Sequence, residues 1–302
     1  MSSDYRTYAL PAKQDPAETV QKNLSEVSKR QEPLHLARAF HLSELIEDLA
    51  LSEKPDRDQL ISLTERIFPS AQATTPYDSA VRHADLIALC HEIAVAYPDN
   101  YDQVFADLFG QNTPPSEQAQ GRVAYVQNSY TEQAFMELTG FIKHRRVAYF
   151  HHFDDVCQEV RGGLCEYGIL PVESTAEGLM AGLFRQIELY DLRICALCHI
   201  ATTNEGYTSF ALVRKTLAPI PAMPKYCLDF LCSPADALQI GELICIATLC
   251  GHTLQHTATY QSHDGETFRL RLGTNPEMLY PFLIYLTLFC ADITPIGFYL
   301  IK

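Results

Sequence analysis

CEYGILPVESTAEG, Cys165–Gly178, carries a short apolar run that stops at Pro171 and is followed at once by Glu173, Ser174 and Thr175. That order reads as a buried strand delivering a carboxylate and two hydroxyls to the end of a sheet. Open α/β proteins place ligands at such strand ends. Ser174 and Glu177 have the S-x-x-E spacing of a capping box, so a helix is expected to open there. Its free N–H groups would suit an anion. The same residues also fit a plain helix cap.

Working outward, short β-rich runs alternate with helical patterns from Arg122 onward. RVAYVQ is a strand. Ser129 and Glu132 have a second capping-box spacing before a helix over Tyr130–Thr139. RRVAYF is a strand, and FDDVCQEVRGG a helix ending at a glycine pair. After CEYGILP comes a helix in AEGLMAGLFRQIE, then the strands DLRICALCHI and GYTSFALVRK. Strands alternating with helices imply an α/β layer.

From Lys225 to Lys302 the order is strand, helix, strand, strand, helix, strand, a ferredoxin-like βαββαβ arrangement. Ser233-Pro234 and Asn275-Pro276-Glu277 mark its helix starts. His263-Asp264-Gly265 reads as the hairpin between its central strands. Residues 1–115 read as helical, with apolar spacing of three and four in Ala17–Arg30, Leu34–Leu51, Asp56–Phe68 and Ser79–Ala96. The polar stretch Gln111–Gly121 is the linker candidate. The expected fold class is therefore mixed α/β and α+β. A helical domain spans 1–115, a small α/β domain 121–217, and a βαββαβ domain 225–302.

The chain has 302 residues, 47% of them apolar and 20% charged, with a net charge of −14. Lys and Arg are scattered rather than clustered in a stripe, so nucleic acid is not an expected partner. The first residues show no apolar signal core, and the apolar run around Met278–Ala291 is too short to span a bilayer. A cytoplasmic protein with no membrane partner is expected, with its ten cysteines reduced. Cys195-Ala-Leu-Cys198-His199 has the C-x-x-C-H form of a haem site. In a strand it is read instead as buried thiols, and no metal or cofactor is assigned. Lys143–Arg146 and the neighbouring His151, His152 and Asp154 read as solvated surface.

VAYVQNSYTEQAF, FDDVCQEVRGGLCEYGILPVEST, YDLRI and YTSFALVRK follow one another in an order that resembles the prephenate dehydratase family. The βαββαβ segment stands where that family carries its ACT regulatory domain. The resemblance covers roughly residues 121–302. It implies conversion of prephenate to phenylpyruvate, on the route to phenylalanine. It implies Thr208 as the catalytic proton donor. Glu173, Ser174, Thr175, Tyr130, Thr131 and Phe210 become substrate-binding residues, and Asp236, Ala237 and Leu238 effector-binding ones. The implied partners are a small aromatic carboxylate or amino acid and further copies of the chain, joined through the ACT-like domain.

The chain departs from the family pattern. Ser209 stands where the family has arginine, and serine supplies neither charge nor a two-pronged donor. Ser174 and Thr175 replace asparagine and serine. The turn Val126–Ser129 is short and lacks glycine. Only 201–206 separate two strands between which the family places a whole second lobe. Ala258–Gln261 replace an effector motif. The expectation is a divergent relative with weak or no catalysis and a binding or regulatory role, whose cleft lacks its facing wall. An active dehydratase completed by another subunit or by the helical region is one alternative. A ligand-free assembly protein is the other.

Overall fold

The computed structural model describes residue 62 and residues 76–111, 114–202, 206–217, 226–232, 237–262, 265–290 and 293–301. The helices expected in Ala17–Arg30, Leu34–Leu51 and Asp56–Phe68, the Ser233-Pro234 helix start, the His263-Asp264 turn and Asp236 lie outside them, as do the side chains of Ala237 and Leu238.

The elements in chain order are α1 (Pro76–Ala96), α2 (Tyr101–Phe109), β1 (Arg122–Val126), α3 (Ser129–Leu138), β2 (Arg146–Phe150), α4 (Phe153–Arg161), β3 (Tyr167–Ser174) and β4 (Gly178–Leu179). Then follow α5 (Ala181–Leu189), β5 (Arg193–Ala201), β6 (Tyr207–Arg214), β7 (Tyr226–Cys232), α6 (Ala237–Leu249), β8 (Thr253–Ser262), β9 (Gly265–Gly273), α7 (Pro276–Phe289) and β10 (Ile293–Ile301). The strands form one ten-stranded mixed sheet in the order β2-β1-β3-β6-β5-β10-β7-β9-β8, with β4 pairing β3. Its last four strands have the ferredoxin-like order, fourth-first-third-second. Parallel pairing of β10 with β5 makes them continuous with the strands before them.

Alternation along the strands separates two faces. On one, α4 and α5 cover Leu170, Val172, Leu197, Ala211 and Val213. On the other, α3 covers Tyr125, Ile169, Phe210 and Leu212. Gly168 permits the close approach of α4 to β3, since a Cβ there would lie 2.9 Å from Val156 Cγ1. Over the C-terminal strands, the α3-side face is roofed by α7 and α2. Phe230 meets Phe282 at 6.4 Å and Phe298 meets Phe105 at 5.7 Å between ring centres. The helix α1 packs in turn on α7.

Two helix starts differ from the sequence expectation. The N-cap of α3 is Asn128, not Ser129: its side chain accepts from Tyr130 N and Thr131 N, and Thr131 completes the box by accepting from Asn128 N. Asparagine is as good an N-cap as serine, and extended backbone at Asn128 decides between them. Ser174 opens no helix. Its Oγ accepts from Glu177 N at 3.0 Å, but the chain turns back through Gly178, at φ +69°, and pairs β4 with the end of β3. The helix begins only at Ala181. The anion-binding helix start expected at Ser174 is therefore a hairpin turn.

Candidate functional site

β3 contains a bulge between Pro171 and Glu173. Proline cannot donate to the ladder and is confined in sheets to edges, strand starts and bulges. The extra residue, Val172, changes the phase of the strand. Residue 173 would otherwise share the face of Ile169 and Pro171; instead Glu173 joins Leu170 and Val172 on the α4/α5 face. Further irregularities lie in β5 between Ile194 and Ala196, in β8 between Leu254 and His256, and in β10 between Pro295 and Gly297. Bulges bend strands and increase their twist.

The consequence is a sheet that curls over its α4/α5 face. β3 and β8 are six positions apart in the strand order. In a flat sheet they would lie about 29 Å apart at the usual strand spacing. Yet Glu173 Oε1 of β3 lies 3.8 Å from His256 Nε2 of β8, and its Oε2 lies 3.6 Å from Arg271 Nη2 and 3.9 Å from Arg269 Nη1 of β9. The wall facing Glu173, which sequence reasoning expected to be missing, is supplied by the C-terminal strands.

At the floor of this concavity Arg269 is fully buried. Its Nε and Nη2 donate to the Asp229 carboxylate at 3.0 and 2.5 Å, and its guanidinium lies 4.3 Å from the centre of the Phe184 ring. Tyr299 donates to Asp229 Oδ2 at 2.7 Å. Asp229, also fully buried, is thus saturated. Burial pulls the pKa of Arg269 down, but the charge and hydrogen bond of Asp229, with Tyr299 and Glu173, together outweigh it and hold the positive form. Burial, with the Asp229 charge behind it, raises the Tyr299 phenol, which stays a neutral donor.

Arg271 is different. Its side chain is 7% exposed, and its Nε and Nη2 have no hydrogen-bond partner in the protein. Nε is 3.8 Å from Asp229 and Nη2 3.6 Å from Glu173, both beyond hydrogen-bond length. Arg269 Nη1, Glu173 Oε2 and His256 Nδ1 are likewise buried and without a hydrogen-bond partner. Buried polar atoms in native proteins are nearly always satisfied. Here a group of them converges on one place, where two N–H groups of one guanidinium edge have the parallel geometry that binds a carboxylate or phosphate in two-pronged fashion.

Two histidines flank the group nearer solvent. His199 of β5 shares a hydrogen bond of 2.9 Å with Ser209 Oγ through Nδ1, and its ring meets Tyr207 edge-on at 4.8 Å. Burial, reinforced by the Arg271 charge, lowers its pKa. Burial lowers that of His256 too, against the pull of Glu173. Both are therefore neutral at pH 7.

The residues expected to share a site with Glu173 divide between the faces. Ser209 pairs with Glu173, and Thr208 with Ser174. Thr208 and Ser174 therefore point to the α3 side, with Phe210 buried below them. Thr131 is fully buried, and its hydroxyl is engaged in the α3 cap and donates to Val126 O at 2.6 Å. Tyr130 packs on that same side. Thr175 fastens β3 to β6 through Tyr207, its Oγ1 accepting from Tyr207 N at 3.1 Å. The C-x-x-C-H segment splits in the same way: Cys198 packs on the α3 side while His199 faces the concavity.

Arg269, Arg271, Asp229 and His256 carry no motif in the sequence, and His199 stands out there only as the last residue of the C-x-x-C-H run. Asp229 within YCLDFLC carried a usable signal, because a charge inside a strand that is apolar at every other position is costly unless paired. Arg269 and Arg271 in TFRLRL read equally well as a solvated strand face. A separate depression of about 420 Å³ is lined by Asp107, Arg193, Thr287 and Thr294 among others. There Arg193 is already held by Asp191 at 2.7 Å. No helix among the described residues is long and apolar enough to cross a membrane.

No protein-family model matches the sequence, and no curated protein matches it. Among solved structures the chain is similar to a prephenate dehydratase from Streptococcus mutans, at a TM-score of 0.48 and 14% identity, over 60% of this chain and 98% of that one. It is also similar to GqqA, described as a novel type of quorum-quenching acylase, at 0.49 and 15%, over 61% and 96%. A prephenate dehydratase in complex with L-Phe from Arthrobacter aurescens matches at 0.47 and 10%, over 59% and 89%.

Proposed function

We propose that this chain binds a small aromatic carboxylate or amino acid in the concavity between β3 and the strands β8 and β9. The role is regulatory, connected with phenylalanine metabolism, and carries weak or no dehydratase turnover. The observation behind this reading is the Arg271 guanidinium edge, buried and without a hydrogen-bond partner beside Arg269 Nη1. The aromatic part of the reading rests on the sequence resemblance through VAYVQNSYTEQAF, LPVEST and YTSF. Weak turnover is supported by alternation: Thr208, the family's proton donor by resemblance, and Glu173 lie on opposite faces of the sheet. A hydroxyl leaving group needs a positioned acid in the same site as the groups that hold the substrate. On this reading the protein works in the cytoplasm, needs no cofactor, and pairs with further copies through its ACT-like region.

Thermal shift with phenylalanine, phenylpyruvate and prephenate tests binding. A ligand at 100 times its Kd adds about 2.7 kcal/mol of stability. Stabilisation by at least one of them is expected. Incubation with prephenate tests turnover: phenylpyruvate formed at about 1–1000 per second, the ordinary enzyme range, would contradict the reading.

A further inference from the structure

We infer that Glu173 is a built-in anion that holds the arginine pair until a ligand arrives, so that ligand carboxylate and proton bind together. This rests on the reading that the concavity takes a carboxylate. Glu173 is the nearest anion to both unpartnered guanidinium edges, at 3.6 Å from Arg271 and 3.9 Å from Arg269, yet it hydrogen-bonds neither. Asp229 cannot serve in its place, because Arg269 and Tyr299 already occupy it. The side chain of Glu173 is 14% exposed and stands on a bulge at a strand end, at the boundary between the buried floor and solvent.

The charges close on themselves. Arg269 and Arg271 are balanced by Asp229 and Glu173. A ligand carboxylate entering between the guanidiniums would bring a second negative charge within a few ångströms of Glu173. Two carboxylates sharing a site cannot both stay ionised without a large penalty, and one of them takes a proton. The other groups facing Glu173 do not remove this conflict. Burial lowers the pKa of His256 on β8 and His199 on β5 and so disfavours their charged forms, Ser209 on β6 and Tyr299 on β10 are uncharged, and Phe184 on α5 is apolar. A protonated Glu173 would in addition offer its O–H to the incoming carboxylate. Anion binding without release of this internal competitor would leave the site with excess negative charge.

Calorimetric titration of the full chain with phenylpyruvate, in HEPES and in Tris between pH 6 and 8, reads both affinity and protons exchanged. Wild type is expected to take up about one proton per ligand, with affinity falling roughly tenfold per pH unit, as linkage of one proton requires. Glu173→Gln keeps the shape and removes the charge. It is expected to bind at least about tenfold more tightly at pH 8 and to take up no proton. His256→Gln should retain the uptake. Binding by wild type without proton uptake, or equal or weaker binding by Glu173→Gln, would overturn the inference while leaving the carboxylate site standing. Proton uptake lost in His256→Gln but kept in Glu173→Gln would transfer the role to the histidine and overturn it too. Binding by neither wild type nor Glu173→Gln would overturn the site reading itself and this inference with it.

Discussion

The two faces of strands β7, β9 and β10 solve one problem in opposite ways. Toward α7 and α2 they present Leu228, Phe230, Leu270, Leu272 and Phe298, all buried and all apolar. Toward the concavity, one residue away in each case, they present Asp229, Arg269, Arg271 and Tyr299, equally withdrawn from water. The first face is stabilised by removing apolar area, at about 25 cal/mol per Å². The second gains little by that route, because desolvating charges roughly cancels their attraction. Apolar residues of similar volume would hold the fold as well. A cluster that stability does not require, with donors left unpartnered, is best explained by what it binds.

The largest effects come from breaking each face. Asp229→Ala leaves the Arg269 charge buried without its partner, and urea unfolding is expected to show a loss of about 3–5 kcal/mol. A loss below about 1 kcal/mol would mean that the cluster is wet, and the contrast between the faces would disappear. On the apolar face, Leu270→Ala is expected to lose about 2–5 kcal/mol through lost contacts and a residual cavity. The pair Asp229→Leu with Arg269→Met should behave differently from Asp229→Ala. Stability is expected within about 1 kcal/mol of wild type or above it, while ligand-induced stabilisation is lost. Retained binding in that pair would separate the ligand from the cluster.

Acid sharpens the comparison from the apolar side. His252 lies edge-on to Phe282 at 4.6 Å, and its Nδ1 accepts from Asn275 N at 2.8 Å. Burial lowers its pKa from 6.5 to about 4. The unfolded chain therefore binds the proton first. Stability due to the neutral ring is complete above about pH 6.5 and falls as pH drops toward 4, by roughly 3 kcal/mol in all. Urea titrations across that range should show the fall, and His252→Phe should flatten it.

Local chemistry was legible and long-range geometry was not. The strands YCLDFLC and TPIGFYLI, the Asn275-Pro276 cap and the glycine-ended helix at Arg161 follow from residue type and period, and the structure has each of them. The βαββαβ order predicts the strand sequence β10-β7-β9-β8. The bulge at Val172 carried a signal in Pro171, but its consequence did not: one extra residue sends Glu173 to the face opposite Thr208. A period-two reading without the bulge puts the two carboxylate-site candidates together. The approach of β8 and β9 to β3 has no sequence signature, because it is the summed curl of a whole sheet.

The central claim is that the unpartnered edge of Arg271 receives a ligand carboxylate. Arg271→Met tests it most directly, since it keeps the stem and removes the donors. Phenylpyruvate binding by wild type and by Arg271→Met, measured by calorimetry at pH 6, is expected to differ by about 2–5 kcal/mol, that is, about thirtyfold or more in Kd. Equal affinity in the two proteins would contradict the account.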